Sequence, residues 1–487
     1  MSSCKLVIKD EVNVKFENLD LKWRQRLHNK FKYEIPYARH LPSVKLGRWD
    51  GKISFFGLGG TTYLALVEKV LPILEEGNVY VEFEDQRIQH DFEFKSIDKN
   101  YLSHIKWPDT HPAKGKTIEL RDYQVETINK FIENPQCIQE IATGAGKTII
   151  TAALCQLVEP YGRTLTIVPN KSLVTQTEED FLTCNLDTGV YYGDRKELGR
   201  YNTIATWQSL NVLEKKSKDE HTADFLEAIK GINTIIIDEV HMAKADVLKR
   251  LLTGPFANCG IRWGLTGTVP KADYEFMGLK CSIGEVVNRI AASTLQDRGV
   301  LANCNVNVLQ TLETKQFSNY QEELKWLTTD SKRMSYIAKT IKTISSSGNT
   351  LVLVDRISAG KILQEQLEDS VFVSGSTKNV DRKEQYDEVS TATNKIIIAT
   401  YGVASIGINI PRIFNLVLIE PGKSFVRVIQ SIGRGIRKAQ DKDHVEIWDI
   451  TSSCKFAKRH LGQRKKFYKE ANYPYNIEKI NYENSYT

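Results

Sequence analysis

Beyond residue 120 the chain alternates short apolar runs with longer stretches whose apolar positions recur at helical spacing. Leu165 to Val168, Thr203 to Ala205, Ile235 to Ile237, Leu351 to Val354, Val371 to Val373, Ile396 to Ala399 and Leu416 to Ile419 read as strands. Runs of this kind bounded by helices predict parallel strands buried on both faces, which is the α/β class. The series is too long for one sheet of usual size, so two parallel-sheet domains are expected, with the crossing near Gly299 to Asn305. The first hundred residues follow another rule. Trp23, Leu27 and Phe31 recur as on a helix, and Val79, Val81 and Phe83 alternate as on a strand. Arg48 to Phe56 reads as a hairpin turning at Asp50-Gly51. A small α+β domain therefore precedes the two sheets, with polar, turn-rich Asp109 to Thr117 as linker. The expected boundaries are 1–110, 111–298 and 299–453, followed by a basic tail over 454–487. Polar Glu214 to Glu220 is expected to be a solvated loop.

Composition changes this picture little. A chain of 487 residues suits about three domains. With 41% hydrophobic and 26% charged residues it is globular rather than disordered. A net charge of +6 permits a polyanionic partner without establishing one. The eight cysteines form no CxxC pair, which favours reduced core thiols over zinc or disulfides. Ile396 to Ile419 is nearly uncharged, but Gly402, Gly407, Pro411 and Arg412 interrupt it. Two buried strands joined by a functional loop fit better than a membrane span. Lys9, Asp10 and Glu11 come before any apolar run could form a signal peptide, so a cytoplasmic enzyme is expected.

The chemistry starts at Ala142-Thr143-Gly144-Ala145-Gly146-Lys147-Thr148. Glycines let backbone N–H groups approach phosphate oxygens, Lys147 offers a charge to the β- and γ-phosphates, and the Thr148 hydroxyl suits Mg²⁺. The strict phosphate-loop pattern wants glycine where Ile141 stands. The strand Ile235 to Ile237 then ends in Asp238-Glu239, which puts two carboxylates at the ligand-binding edge of a parallel sheet. Asp238 suits the Mg²⁺ shell, and Glu239 suits activation of water. His241 is a surface histidine or a polar link toward Thr266-Gly267-Thr268. Far along the chain, Arg434 and Arg437 share a helix face, and their guanidinium forks match phosphate oxygens. A phosphate loop in one domain and paired arginines in another suggest ATP held between two lobes.

These residues resemble superfamily 2 helicases of the DExH group, in order from about Leu120 to about Asp449. The resemblance implies two tandem RecA-like (P-loop) domains. It makes Arg121 and Gln124 the adenine-reading element. It gives Pro169, Lys171, Thr206 and Trp207 strand-backbone contacts, with Trp207 also readable as core. It makes Asp238 to His241 the DExH box, and Thr266 with Thr268 the coupling motif. Gly407 and Asn409 fall between nucleotide and nucleic acid, although many relatives carry aspartate where Asn409 stands. Gln430, Arg434 and Arg437 match the arginine-finger motif. A narrower resemblance, to the phage UvsW recombination helicases, rests on three features. These are the Gly47 to Ile53 hairpin, the absence of a large insertion in the core, and the short basic tail. It implies an enzyme of DNA recombination, repair and replication. Such an enzyme regresses forks, migrates Holliday junctions and unwinds D-loops and R-loops.

Two surfaces look suited to DNA. From Lys455 to Lys469 the chain carries seven cations and no acid, Arg464, Lys465 and Lys466 among them, with interleaved aromatics. Arg48 and Lys52 flank Trp49, which either stacks on bases or closes a small core. ATP, Mg²⁺ and branched or duplex DNA are the expected ligands, and a monomer is expected, with recombination or replication proteins as partners. An RNA helicase and an ATP-regulated junction-binding or annealing protein remain the alternatives.

Overall fold

A computed structural model describes residues 2–108, 113–221, 224–240, 245–270, 272–375, 392–407, 412–423 and 441–482. In the small domain, β1 (Ser2–Ile8), β2 (Asn13–Glu17), β3 (Lys32–Glu34), β4 (Lys52–Ser54), β5 (Thr61–Tyr63) and β6 (Val79–Asp85) form two sheets. The larger has the order β5-β2-β1-β6, and the smaller pairs β3 with β4. Leu27 from the helix Leu21–Lys30 and Val70, Ile73 and Leu74 from the helix Val67–Glu76 pack on Leu6, Val14 and Phe16.

The expected hairpin over Arg48 to Phe56 is not formed. Gly51 does turn the chain, at φ 72°, but Gly47 is also left-handed, at φ 67°, and breaks what would be the first arm. Strand β4 therefore pairs with β3, and the helix Pro42–Lys45 fills the connection.

The second sheet contains β7 (Gln136–Ile141), β8 (Arg163–Val168), β9 (Thr188–Tyr192), β10 (Arg195–Lys196), β11 (Asn202–Thr206), β12 (Ile232–Asp238), β13 (Ile261–Thr266) and β14 (Glu285–Ile290). Its order is β10-β9-β11-β8-β12-β13-β7-β14. From β9 to β7 the neighbours run parallel, so ligand-binding edges line up at the strands' C-terminal ends. The third sheet contains β15 (Asn303–Thr311), β16 (Thr350–Val354), β17 (Ser370–Val373), β18 (Ile396–Thr400), β19 (Asn415–Ile419), β20 (His444–Ser452) and β21 (Tyr475–Ile480). All its pairs are parallel, in the order β17-β18-β16-β19-β20-β15-β21. The eight cysteines are buried and free. Among the described residues no helix is long and apolar enough to cross a membrane.

Two local expectations give way. Glu214 to Asp219 is helical, within Trp207–Asp219, and Glu214 is buried because Arg250 and Lys218 both pair with it. The segment after 453 is no free tail. The helix Lys455–Glu470 buries Ala457, His460, Leu461, Arg464 and Tyr468 on one face, and β21 adds to the sheet beside β15. Its many cations hide this helical spacing in the sequence.

By compactness the chain divides into residues 1–141 with 146–289, and 142–145 with 290–487. Within the first unit the small domain shares a core with the α/β domain. Met277 and Cys281, from the helix Asp273–Ser282, lie in the same buried cluster as Leu6 and Phe16. From the helix Ala245–Thr253, the Lys249 ammonium sits 4.2 Å from the centre of the Phe55 ring and 5.1 Å from that of Tyr63. Buried Arg262 donates to the carbonyls of Leu252 and Ser282, at the C-terminal ends of these two helices. Finally, His90, Phe92 and Phe94 form a stacked strap whose aromatic rings meet Tyr161 and Trp263.

Candidate active site

The phosphate loop leaves β7 at Ile141 and enters the helix Lys147–Val158. Gly144 and Gly146 have φ of 90° and 78°, a left-handed backbone that side chains resist. A Cβ on Gly146 would also lie 2.7 Å from the Gln124 Nε2. Glycine at 146 is thus required twice, whereas the strict pattern's glycine at 141 is replaced by a fully buried isoleucine that ends β7. Gln124 is itself held, since its Oε1 accepts the Arg121 amide at 2.9 Å. Gln124, expected to read adenine, thereby sits beside the loop.

Lys147 and Glu239 meet. Nζ donates to the Glu239 Oε1 at 2.7 Å, and both side chains are only 10% exposed. Glu239 follows β12 in a left-handed backbone, φ 52°, and its amide donates to the Asp238 Oδ1 at 2.9 Å. Its second oxygen accepts the Gly267 amide at 3.3 Å. One carboxylate therefore joins the phosphate-loop lysine to the loop after β13. Thr266 and Thr268 are buried, and their mutual bonds close that loop: the Thr266 Oγ1 donates to the Thr268 carbonyl at 2.7 Å and accepts its amide at 3.3 Å. Thr148 is half-buried on the first turn of the loop's helix. This donor set fits a nucleoside triphosphate: a loop turned by two left-handed glycines, a lysine, a hydroxyl and two carboxylates at one sheet edge. His241, Asn409, Gln430, Arg434 and Arg437 lie outside the described residues, and Gly407 ends the helix Tyr401–Gly407.

The expected strand contacts divide. Lys171 is exposed at the start of the helix Lys171–Thr183, just after Pro169. Thr206 is buried, and its hydroxyl caps the helix Trp207–Asp219 through the Ser209 amide at 3.3 Å. Trp207 packs against the core under that sheet. In the small domain Arg48 and Lys52 are exposed. The Trp49 Nε1 donates to the Lys52 carbonyl at 3.0 Å, and its ring packs with Ile35, Ala38 and Tyr274, so it closes a small core.

Arg464 is a correction. It is fully buried, with two bonds to Asp449 at 2.8 and 2.9 Å and one to the Gly422 carbonyl at 2.7 Å. Burial alone would lower its guanidinium pKa, but Asp449 and Tyr468 hold it above the ordinary value. Helical spacing turns 464 inward and leaves Lys466 exposed and Lys465 half-buried. Nearby, burial pushes Glu420 up to about 7 although Arg333 bonds to it at 2.8 Å.

Residues 117–271 match the family model described as type III restriction enzyme, res subunit, and residues 332–439 match the helicase conserved C-terminal domain. The chain belongs to the superfamily 2 helicases, enzymes that use ATP. It is similar to the ATP-dependent DNA helicase uvsW of Enterobacteria phage T4, 26% identical over 464 residues that cover 91% of this chain and 89% of that protein. It is also similar to the DNA 3'-5' helicase XPB of Kineococcus radiotolerans, 25% identical over 370 residues, 74% of this chain and 64% of that one. Among solved structures, the fragment of a putative HsdR subunit of a type I restriction enzyme from Vibrio vulnificus YJ016 has a TM-score of 0.56 at 16% identity. It covers 96% of this chain and 85% of that chain, a likeness of fold.

Proposed function

We propose that this helicase acts on DNA, and on branched DNA in particular, in recombination, repair and replication. The observation that carries the reading is the alignment with the phage T4 DNA helicase. It spans 91% of this chain, too much to exclude the small domain, whereas the XPB alignment spans 74%. Gln124 and Arg121 would hold the base, and the 143–148 loop the phosphates of ATP. Thr148 and Asp238 would hold Mg²⁺, which neutralises charge developing on the phosphates. Glu239 orients the attacking water once Lys147 has turned to phosphate. Arg434 and Arg437 stabilise the transferring group.

Charge placement supports a polyanion. Residues 21–52 hold nine lysines and arginines against two acids, a surplus larger than the net +6 of the whole chain. Lys22, Arg26 and Lys30 are exposed on one helix at every fourth position, a line of cations about 12 Å long. No ion pair engages them among the described residues, whereas Arg195, Arg200 and Arg250 are all paired. Lys455, Lys458, Arg459, Lys466 and Lys469 make a second exposed set.

A synthetic four-way junction tests the reading. ATP-dependent conversion of the junction to duplex products is expected from the wild type and not from Glu239→Gln. Lys22→Glu/Arg26→Glu/Lys30→Glu should flatten the dependence of log affinity on log salt by about 3, near 0.9 for each lost phosphate contact. Conversion by Glu239→Gln would favour a junction-binding protein whose ATP use only regulates release. Stimulation of hydrolysis by single-stranded RNA alone would favour the RNA-helicase reading.

A further inference from the structure

Three successive amides of the loop after β13 are each taken by a side-chain oxygen. Gly267 donates to Glu239, Thr268 to Thr266, and Val269 to the Glu140 Oε1 at 3.2 Å. Glu140 is the unexpected member. It sits in β7, an interior strand of the sheet, where an acid is out of place without a task. The parallel register puts it directly beside Thr266, so its side chain reaches the loop without any bend of the strand. It also pairs with Arg289 at 3.3 Å, but Arg289 is 67% exposed, and a pair so open to water adds little. The amide bond is the specific contact.

We propose that Glu140 is a positioning residue for the coupling loop. It fixes the Val269 end, so that the Glu239–Gly267 bond at the other end reads whether Lys147 still engages Glu239. With both ends loose, a change at Glu239 would be absorbed by the loop. With one end fixed, the change must move the loop's remaining residues. The inference rests on the reading of Lys147 and Glu239 as the ATP-hydrolysing pair.

The full chain tests it through three variants. Glu140→Gln keeps an oxygen for Val269 and loses the Arg289 pair. Arg289→Met loses only the pair. Glu140→Thr keeps a strand-forming residue but is too short to reach the amide. ATP hydrolysis is measured with and without forked DNA, together with the KM for ATP and the strand displaced per ATP. Glu140→Thr should lose at least tenfold in DNA-stimulated kcat and in strand displaced per ATP, with DNA-free hydrolysis and KM within about twofold of wild type. Glu140→Gln and Arg289→Met should stay near wild type. Normal DNA stimulation in Glu140→Thr overturns the proposal. So does a loss in Glu140→Gln as deep as in Glu140→Thr, since the ion pair would then matter and not the amide. If Glu140→Thr unfolds, Glu140→Val, which also forms strand and offers no acceptor, takes its place, and normal DNA stimulation there would overturn the proposal as well. Unchanged hydrolysis in Lys147→Ala would sink the ATP-site reading itself, independently of Glu140.

Discussion

The Lys147–Glu239 pair can be weighed by a double-mutant cycle of Lys147→Met and Glu239→Gln. At 2.7 Å and an effective dielectric of about 20, the gross attraction is about 6 kcal/mol. Both side chains are 10% exposed, so removing two ions from water offsets several kcal/mol of it. The remaining coupling should be about 1.5–3 kcal/mol. Lys147→Met alone leaves Glu239 nearly buried without its cation, and should destabilise the first unit by about 2–3 kcal/mol. Glu239→Gln keeps one acceptor oxygen, for Lys147 or Gly267, sets an NH2 against the other donor, and should cost about 1–2 kcal/mol. The double variant should be more stable than Lys147→Met, because no carboxylate is then stranded. Urea unfolding without nucleotide gives the four free energies, and steady-state ATP hydrolysis gives the catalytic side of the same cycle. Either single change should lower kcat by at least a hundredfold, and the double change should lower it no further, because the two residues act as a unit. A coupling below about 0.5 kcal/mol would mean that the contact is a surface pair of no weight. Multiplicative losses of kcat would mean that the two residues serve separate steps.

Two further outcomes follow from packing and from titration. Gly260→Ala puts a Cβ 2.6 Å from the His90 Cδ2 and 2.9 Å from the Phe92 ring, so it should displace the aromatic strap and cost about 1–3 kcal/mol in the first unit's melt; a wild-type melt would show that the strap is not seated there. His460 is held down to about 4 by burial, then by Arg464, Arg459 and Lys423, against an ordinary 6.5. The unfolded chain therefore takes up this proton first as pH falls. The second unit should lose up to about 2 kcal/mol between pH 6.5 and 4, and His460→Gln should remove that slope; a slope unchanged in His460→Gln would place the titration elsewhere.

Legibility in the sequence tracked how much each feature depends on neighbours in the chain. Parallel strands buried on both faces must be apolar throughout, so Ile235 to Ile237 and Leu351 to Val354 announce themselves, and β12 and β16 enclose them. The candidate site was equally plain, because phosphate chemistry would fix both residue type and spacing at Gly146-Lys147-Thr148 and Asp238-Glu239. Asp50-Gly51 has the composition of a hairpin turn and does turn the chain, but the left-handed backbone at Gly47 removes one arm, so the hairpin is not formed.

Arg464 shows the harder limit. Seven cations in fifteen residues look like a solvated or phosphate-binding surface, and side-chain chemistry cannot say which of them turns inward. The answer lies in Ala457, His460, Leu461 and Tyr468, whose spacing defines a buried stripe that passes through 464. The partner that makes burial tolerable, Asp449, sits on a strand fifteen residues earlier and is itself fully buried. A guanidinium can enter a core only where acceptors are already placed for it, the Asp449 carboxylate here and helix-end carbonyls at Arg262. The same reasoning applies to Glu140. An acid in an interior strand is a sign that amides converge on it, but which amides they are depends on the register of β7 against β13, and no local pattern encodes that register.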